Sequence, residues 1–591
     1  MMRISRWWIS QVRFKKYIDK EYASPLEQVM HGRNIEDIDA WLNVSMGNVA
    51  DWSELDDIDS AAEVVHDCIV DNKNVLLPVD CDQDGYASAA IFINYFYSIY
   101  PEWVLNHVRY IHHDGKRHGL SDIVDLIDTD AIDLVVCIDS SSNDYAQHKY
   151  LNDNGVSVVI LDHHLADHKS EAPLTITVNN QLCNYPNKTA VGGAIAWQFC
   201  RCYDSLYGYS EADTQLDLCA LALVGDMASY KNLETKALIQ EGLKHIKNPY
   251  MYSMYMNNLH TIDKHGGKSY MGLAFGIAPM TNAVCRSGTL DEKDLVFKSM
   301  CIPYAFERVE SNKRGAFGNL VPLHEEAIRV ACNVKGRQST MQDEAFANIE
   351  HKIQENGLLD NAVLTITCEP EEVSPGIAGL IANKAQAKYQ RPAMVLIKTE
   401  LDDGTVSYRG SMRNYSMSEE SDFKKVLEDT GLVEYVQGHP KAAGCGVCAD
   451  NLDKLNFSLN KHYESISKEP VFYVDYIWNL KDIDNDIILE LAGFDKFWGQ
   501  EIPESKIGLV DIDLSKCRLQ LCGRKNNTLR MILPDGTVCV KFGISEDEFD
   551  KLMEDNMTMK CLCSPKKNKW NGKVSGEFII DEYETKKRWT F

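Results

Sequence analysis

Between residues 74 and 162 the chain repeats one pattern: a short apolar run, a polar break, then a longer run with apolar positions at helical spacing. "NVLLPVD" (74–80), "WVLNHVRYI" (103–111), "IDLVVCID" (132–139) and "VSVVILD" (156–162) predict strands, and the stretches 85–100, 120–129 and 143–154 predict helices between them. Strands that are apolar throughout and alternate with helices predict a parallel sheet covered on both faces. Ligands of such sheets bind at the carboxyl ends of the strands. Three of the four runs end in acid, at Asp80, Asp139 and Asp162, and the last continues into His163 and His164.

The first 60 or so residues read as helical, and 189–301 as mostly helical, with Asp226 closing the apolar run of "LDLCALALVGDMAS". A connecting helix is expected over 302–352. A second α/β unit then opens: strand 362–368, helix 376–390, strands 392–397 and 406–414, and the Gly-rich "GHPKAAGCGV" (438–447). Six short runs between 507 and 583, separated by turns, predict a small barrel.

A chain of 591 residues exceeds one compact core, so two to four domains are expected. With 61 Lys+Arg against 87 Asp+Glu the net charge is -26, so any polyanion site has to be local. The 18 cysteines sit in apolar stretches, as buried thiols of a reducing cytoplasm do, and the C-x-x-C at Cys445 and Cys448 reads as core. "MMRISRWWISQVRFKK" lacks an apolar core before a cleavage site, so it does not read as a secretory signal; Trp7 and Trp8 are expected to pack an N-terminal helix. No run of about 18 apolar residues occurs, so no membrane span is expected.

"DCDQDG" sets Asp80, Asp82 and Asp84 at alternate positions after a strand, where extended chain would place them on one face. Three such carboxylates repel one another unless cations or protons intervene. The competing reading is a polar turn with Asp84 as N-cap of the next helix, and on these residues alone the two stand level. Asp139, Asp162, His163 and Asp226 on the same sheet edge tip the balance towards metal. Oxygen ligands with one or two imidazoles suit Mn2+ or Mg2+. The carboxylates suffice for two ions about 3.5–4 Å apart, the spacing for in-line attack on phosphorus. Neighbours on a strand point to opposite sides, so one histidine of the pair is expected on a metal and the other towards substrate. His168 reads as a surface histidine. "SPKKNKWNGK" places Lys566, Lys567, Lys569 and Lys573 around Trp570, which fits either a single-strand groove or a solvated hairpin with a packed Trp. His439 and Lys441 favour a backbone-phosphate contact in the Gly-rich segment over close packing alone.

The set "DCDQDG", "CIDSSSND", "LDHHLADH" and "LVGDMAS" resembles, in order and spacing, the four motifs of DHH-superfamily phosphoesterases. "VNNQLCNYPNKTAVGGAIAW", "GIAPMTNAVCRSG", "SPGIAGLIANKAQAKYQRP", "YRGSMRN", "GHPKAAG", "GFDKFWGQEIPES" and "NKWNGK" resemble further segments of the RecJ branch of single-strand DNA exonucleases, so the likeness runs from about 70 to 585. It implies an α/β fold class with a helical segment 1–65, a parallel-sheet DHH domain 66–300, a connecting helix 301–355, a smaller α/β DHH-associated domain 356–455, and a linker with a C-terminal OB-fold β-barrel over 456–591.

The resemblance also implies roles. Asp80, Asp82, Asp84, Asp139, His163 and Asp226 would hold two divalent cations, Mn2+ or Mg2+. Asp162, His164 and Arg286 would be catalytic, with His164 facing the scissile phosphate. Asn282, Arg286, Ser411, Arg413, His439, Lys441, Lys566, Lys567, Lys569 and Trp570 would bind substrate. The implied activity is stepwise 5′→3′ hydrolysis of single-stranded DNA to 5′-mononucleotides, in recombination, repair or replication. By family analogy a helicase and a single-strand binding protein are partners. A monomer is expected, in a bacterial cytoplasm or an infected host cell.

The chain departs from the family at Val373-Ser374, usually Trp-His; at Gln437, usually the first of two glycines; and at Ser140-Ser141, usually Cys-Gly. These departures bear on substrate positioning and suit a phage-encoded relative. Two other readings stay open. A DHH phosphodiesterase of short oligonucleotides or cyclic dinucleotides is opposed by the C-terminal barrel. A catalytically silent DNA-binding scaffold is opposed by the complete ligand set.

Overall fold

The computed structural model describes residues 12–114, 118–401, 404–415, 417–464, 466, 470–570 and 572–588. Trp7 and Trp8 lie outside the described residues, as does the side chain of Trp570. The chain forms two compact units, each built from separated segments. One is 37–338 with 495–503; the other takes the residues up to 36, 339–494 and 504 onward.

In the first unit, Val75–Val79 (β1), Val108–His112 (β2), Leu134–Ile138 (β3), Ser157–Asp162 (β4) and Thr175–Asn179 (β5) form a wholly parallel sheet in the order β2-β1-β3-β4-β5. β1 and β3 are buried at every position. Alternate residues explain this: Leu76, Val135, Cys137, Val158 and Ile160 share a core with Leu120, Ile123, Ile127 and Leu151. Their neighbours face the other side, where helices Gln83–Ile99 (α1) and Gly192–Tyr207 (α2) lie.

Two expectations need correction. The first half of the 103–111 run is a helix, Pro101–His107, opened by proline at its first position. The helix expected over 120–129 is one 3-10 turn, Val124–Leu126, where Asp125 within it and Asp128 and Asp130 after it favour turns over helix interiors. β5, from "TITVN", was not anticipated. Helices Leu216–Gly225 (α3) and Ala278–Ser287 (α4) follow. The connecting helix (α5) is Leu323–Glu355, and a two-stranded hairpin, Arg308–Glu310 with Leu320–Pro322, precedes it.

Residues 495–503 return to this unit. Tyr230 N donates to Gln500 O at 3.1 Å, Ser229 Oγ donates to Glu501 at 2.6 Å, and Phe497 meets Trp41 edge-on at 5.6 Å.

In the second unit, Leu364–Cys368 (β6), Ala393–Glu400 (β7), Val406–Arg413 (β8), Tyr435–His439 (β9) and Ala442–Cys448 (β10) form a sheet in the order β9-β10-β8-β7-β6. Only β6 and β7 are parallel. One face packs Ile366, Val395 and Ile397 against Ile377, Ile381 and Ala385 of helix Pro375–Tyr389 (α6); the other gathers Met394, Leu396, Met412, Cys445 and Val447. The Gly-rich segment is therefore the hairpin β9/β10, and Cys445 and Cys448 are free thiols on β10.

The C-terminal strands are Ile507–Asp513 (β11), Arg518–Cys522 (β12), Thr528–Ile532 (β13), Val538–Phe542 (β14), Met557–Trp570 (β15) and Lys573–Lys587 (β16). Their order is β11-β15-β16-β14-β13-β12, with Tyr476–Trp478 outside β11. β14 and β16 pair in parallel, and helix Glu546–Leu552 (α7) sits between β14 and β15 in sequence. β11 and β12, at opposite ends of that order, are joined by a single 3-10 turn, Leu514–Lys516. Among the described residues no helix is long and apolar enough to cross a membrane.

Candidate metal centre

The carboxyl ends of β1, β3 and β4 carry the acids. After β1 the chain turns sharply, and Asp82, not Asp84, caps α1: its Oδ1 accepts Asp84 N at 2.9 Å and Gly85 N at 3.2 Å. Gly85 is required here, since a Cβ would lie 2.5 Å from that of Asp80. Because the helix starts at Gln83, the three acids do not share one face of an extended chain. Asp80 and Asp82 group with Asp139, whereas Asp84 groups with His163 and Asp226; within each group the ligand atoms lie within 4.8 Å of one another.

Asp84 is held by the start of α2. Gly192 N and Gly193 N each donate to its carboxylate at 2.8 Å, and Ser88 Oγ adds a third bond at 3.0 Å. The two glycines also let α2 approach: a Cβ on Gly192 would sit 2.5 Å from Asp139 Cβ, and one on Gly193 2.4 Å from Ala222 Cβ. Asp139 itself has φ of +66°, a conformation that strains a residue with a Cβ. Burial pushes its carboxyl well above the usual range, and Asp84, Asp82 and Asp80 repel it further. Asp80 is raised in the same way, by burial and then by Asp82, and its Oδ1 is buried without a hydrogen bond.

Strand β4 ends at Asp162, and both histidines lie just beyond it. Their rings stand side by side, 4.5 Å between centroids, rather than on opposite sides of a strand. They divide through their partners instead. His163 Nε2 lies 3.1 Å from Asp139, 3.7 Å from Asp226 and 3.9 Å from Asp84. Burial and the neighbouring His164 lower its pKa, against the pull of Asp84. His164 Nδ1 bonds Asp162 Oδ1 at 2.8 Å. That oxygen also accepts His163 N at 2.7 Å and His164 N at 3.2 Å, while Oδ2 accepts Ser142 N at 3.1 Å. Burial alone would raise the Asp162 pKa, but the bond and charge of His164 hold it well below the usual carboxylate range. Burial works against the His164 charge, yet Asp162, with help from Asp80 and Asp226, brings its pKa up to about 10.

Asp226 is not at a strand end. It caps the C-terminus of α3 and reaches the sheet edge from there. Burial, then repulsion from Asp84 and Asp82, pushes its pKa up to about 8, opposed by His164 and Arg286. Arg286 and Asn282 are one turn apart on α4, and Arg286 Nε is buried without a hydrogen bond. Sequence reading missed Gly192, Gly193 and Ser142, which position the acids, and His118, whose ring is 5.9 Å from His164. The adjacent glycines before an apolar helix were the available signal. His168 is exposed and stacks on Tyr145, as expected of a surface residue.

The remaining predicted residues lie in the second unit. Arg413 and His439 both register with Ala442, from either side of β10, and Ser411 registers with Gly444. Lys441 is in the turn between β9 and β10, where its carbonyl accepts Asn414 N at 2.9 Å. Lys566, Lys567 and Lys569 are on β15, with Lys567 and Lys569 exposed at alternate positions. Trp570 is opposite Lys573 at the hairpin end.

The donor set fits divalent metal. Six groups converge, five carboxylates and an imidazole, two of the carboxylates are raised far above the usual range, and a buried Asp80 oxygen lacks a partner. Residues 74–225 match the family described as "DHH family, N-terminal domain", and residues 360–464 match the DHHA1 domain. A Bacillus subtilis protein, provisionally named as an SPbeta prophage-derived single-strand DNA-specific exonuclease, YorK, is 34% identical over 576 residues, covering 96% of this chain and 97% of its own. The chain belongs to the RecJ-like DHH nucleases. The single-stranded-DNA-specific exonuclease RecJ of Escherichia coli is 23% identical, over 91% of this chain and 92% of that one. The crystal structure of Thermus thermophilus RecJ in complex with Mn2+ superposes with a TM-score of 0.68 at 16% identity, over 97% of this chain and 79% of that one, which shows the shared fold.

Proposed function

We propose that this RecJ-like nuclease is a metal-dependent exonuclease that degrades single-stranded DNA from the 5′ end, releasing 5′-mononucleotides. The observation that carries the reading is the convergence of Asp139, Asp226 and Asp84 on His163 Nε2, at 3.1, 3.7 and 3.9 Å, because carboxylates gathered so closely repel one another unless cations or protons intervene. Asp80, Asp82, Asp84, Asp139, His163 and Asp226 would hold two divalent cations, Mn2+ or Mg2+, which supply charge neutralisation and an acidified water.

The protein's own groups do the rest. Water oxygen bonds to phosphorus, and the bond to the 3′ oxygen of the terminal nucleotide breaks. Asp162 keeps His164 charged, with its free nitrogen available to donate to a phosphoryl oxygen as negative charge builds there. Arg286 brings a second cation to the same place. Ser411, Arg413, His439 and Lys441 would hold the strand backbone on the second unit.

The C-terminal strands read best as an OB-fold. If β11 and β12 count as one bent strand, the order closes on itself, with the parallel pair β14/β16 and α7 at their proper places. Lys566, Lys567, Lys569 and Trp570 would then grip longer strands. With this assignment the five-part division given above, from the helical segment 1–65 to the barrel within 456–591, is part of the proposal. So are action in DNA recombination, repair or replication beside a helicase and a single-strand binding protein, a monomeric state, and a bacterial cytoplasm or infected cell as the setting.

The test is digestion of 5′- and 3′-labelled single strands of DNA and RNA with Mn2+, Mg2+ or chelator. Mononucleotides released first from the 5′ label, only with metal, are expected. Preference for a 3-mer over a 50-mer would favour an oligonucleotide phosphodiesterase. Intact DNA that shifts in a gel would favour a silent scaffold.

A further inference from the structure

Beside the acids and imidazoles stand two apolar side chains that neither packing nor backbone preference accounts for. Leu165 follows His164 and is 81% exposed, more than any other large apolar side chain among the described residues. Its backbone is fixed: Asn143 Nδ2 donates to Leu165 O at 2.8 Å, and Asn179 Nδ2 donates to His164 O at 2.9 Å. Met227 follows Asp226 and is 60% exposed. Its φ is +57°. Ala228 N donates to Leu223 O at 2.9 Å and Met227 N to Val224 O at 3.3 Å, which ends α3 with a left-handed residue at position 227. Glycine suits that position, because a Cβ strains the backbone there and a side chain left in water returns nothing for it. A residue held against local stability, next to a reaction centre, points to use.

We propose that Met227 and Leu165 form an apolar lip that contacts the base of the nucleotide being removed. The phosphate on its 3′ side, where the bond breaks, has to reach Asp226, His163 and His164, so its sugar and base pass the residues that directly follow them in the chain. A thioether and an isobutyl group pack on the face of any base and read no hydrogen-bonding edge. The grip is therefore tolerant of sequence, as stepwise removal of successive nucleotides requires. The proposal rests on the exonuclease reading above.

The test uses M227G and L165S in the full chain. Two 20-mer single strands serve as probes, one normal and one abasic at its two 5′-terminal nucleotides. KM and kcat are measured with Mn2+, and binding by anisotropy with Ca2+. M227G is expected to melt at or above the wild-type temperature. For the normal strand, KM and the dissociation constant should rise about tenfold, the factor that about 1.4 kcal/mol gives and the order expected for covering one methionine. The wild-type preference for the normal strand over the abasic one should fall towards one. L165S should melt like wild type and lose the same preference. Unchanged base preference in both variants overturns the proposal, as does a lower melting temperature for M227G with affinity intact, which would make Met227 structural. Failure of the wild type to cut DNA would count against the exonuclease reading alone, because the binding arm still reports the lip.

Discussion

Gly192→Ala tests whether the approach of α2 sets the geometry of the acids. The new Cβ would lie 2.5 Å from Asp139 Cβ and 2.7 Å from its Oδ1, where ordinary contact begins at 3.4 Å. One element has to retreat by about 1 Å. If Asp139 moves, its 3.1 Å approach to His163 Nε2 is lost; if α2 moves, the two 2.8 Å bonds to Asp84 stretch. Overpacking of this kind costs about 1–3 kcal/mol of stability. A misplacement of about 1 Å at reacting groups costs roughly 100-fold in rate. The assay is a Mn2+ titration of single-strand hydrolysis beside thermal melts. G192A should lose about two orders of magnitude in kcat, or need at least about tenfold more Mn2+, while remaining folded. Gly336 on α5 is the control, since its Cβ would meet open space. G336A should keep full activity and gain roughly 0.5–1 kcal/mol. Wild-type kcat and Mn2+ dependence in G192A would refute the reasoning.

Other consequences follow from the charges. Asp80, Asp139 and Asp226 have raised pKa values, so the folded protein in chelator binds protons that the unfolded chain releases; its stability should fall as pH rises from about 4 towards 8, and added Mn2+ should reverse the trend. D139N should raise the melting temperature in EDTA at pH 7.5 while abolishing hydrolysis, and a lowered one would contradict the repulsion. Lys236 is buried against the Trp41 ring and its pKa falls to about 7, so below that pH the fold carries a buried cation. Wild-type stability should rise from pH 6 to pH 8 by about 1.4 kcal/mol relative to K236M, as chemical denaturation would show. Replacing Lys567 and Lys569 by Ala should reduce the salt dependence of binding to long strands by about one unit of slope per lysine and leave turnover of very short strands unchanged, whereas equal effects on both would remove the barrel from the binding path.

The acids at 80, 139 and 162 were legible because a buried strand that ends in carboxylate breaks its own pattern at one place. Asp226 followed an equally apolar run, but its run is a helix buried all round, and a short apolar stretch does not declare its period. Alternate spacing of Asp82 and Asp84 implied one face; the helix begins between them and turns Asp84 towards a different set of partners. Different surroundings for His163 and His164 were expected from strand alternation, but both lie past the strand, and it is the bond from His164 to Asp162 that separates them. Strand order was not legible in any of the three larger sheets. Nor was the role of Gly192 and Gly193, whose value lies in what they allow α2 to touch.

The return of residues 495–503 has a consequence for synthesis. Their bonds to Ser229 and Tyr230 brace the segment that directly follows Asp226. The ribosome makes that brace only after residues 339–494, so the acidic centre is completed late, when most of the second unit already exists. A fragment that stops at residue 338 would carry every acid and imidazole of the centre yet leave Asp226 on an unbraced turn. In a chain built this way, the turn after Asp226 gains its last supports only when synthesis is nearly finished.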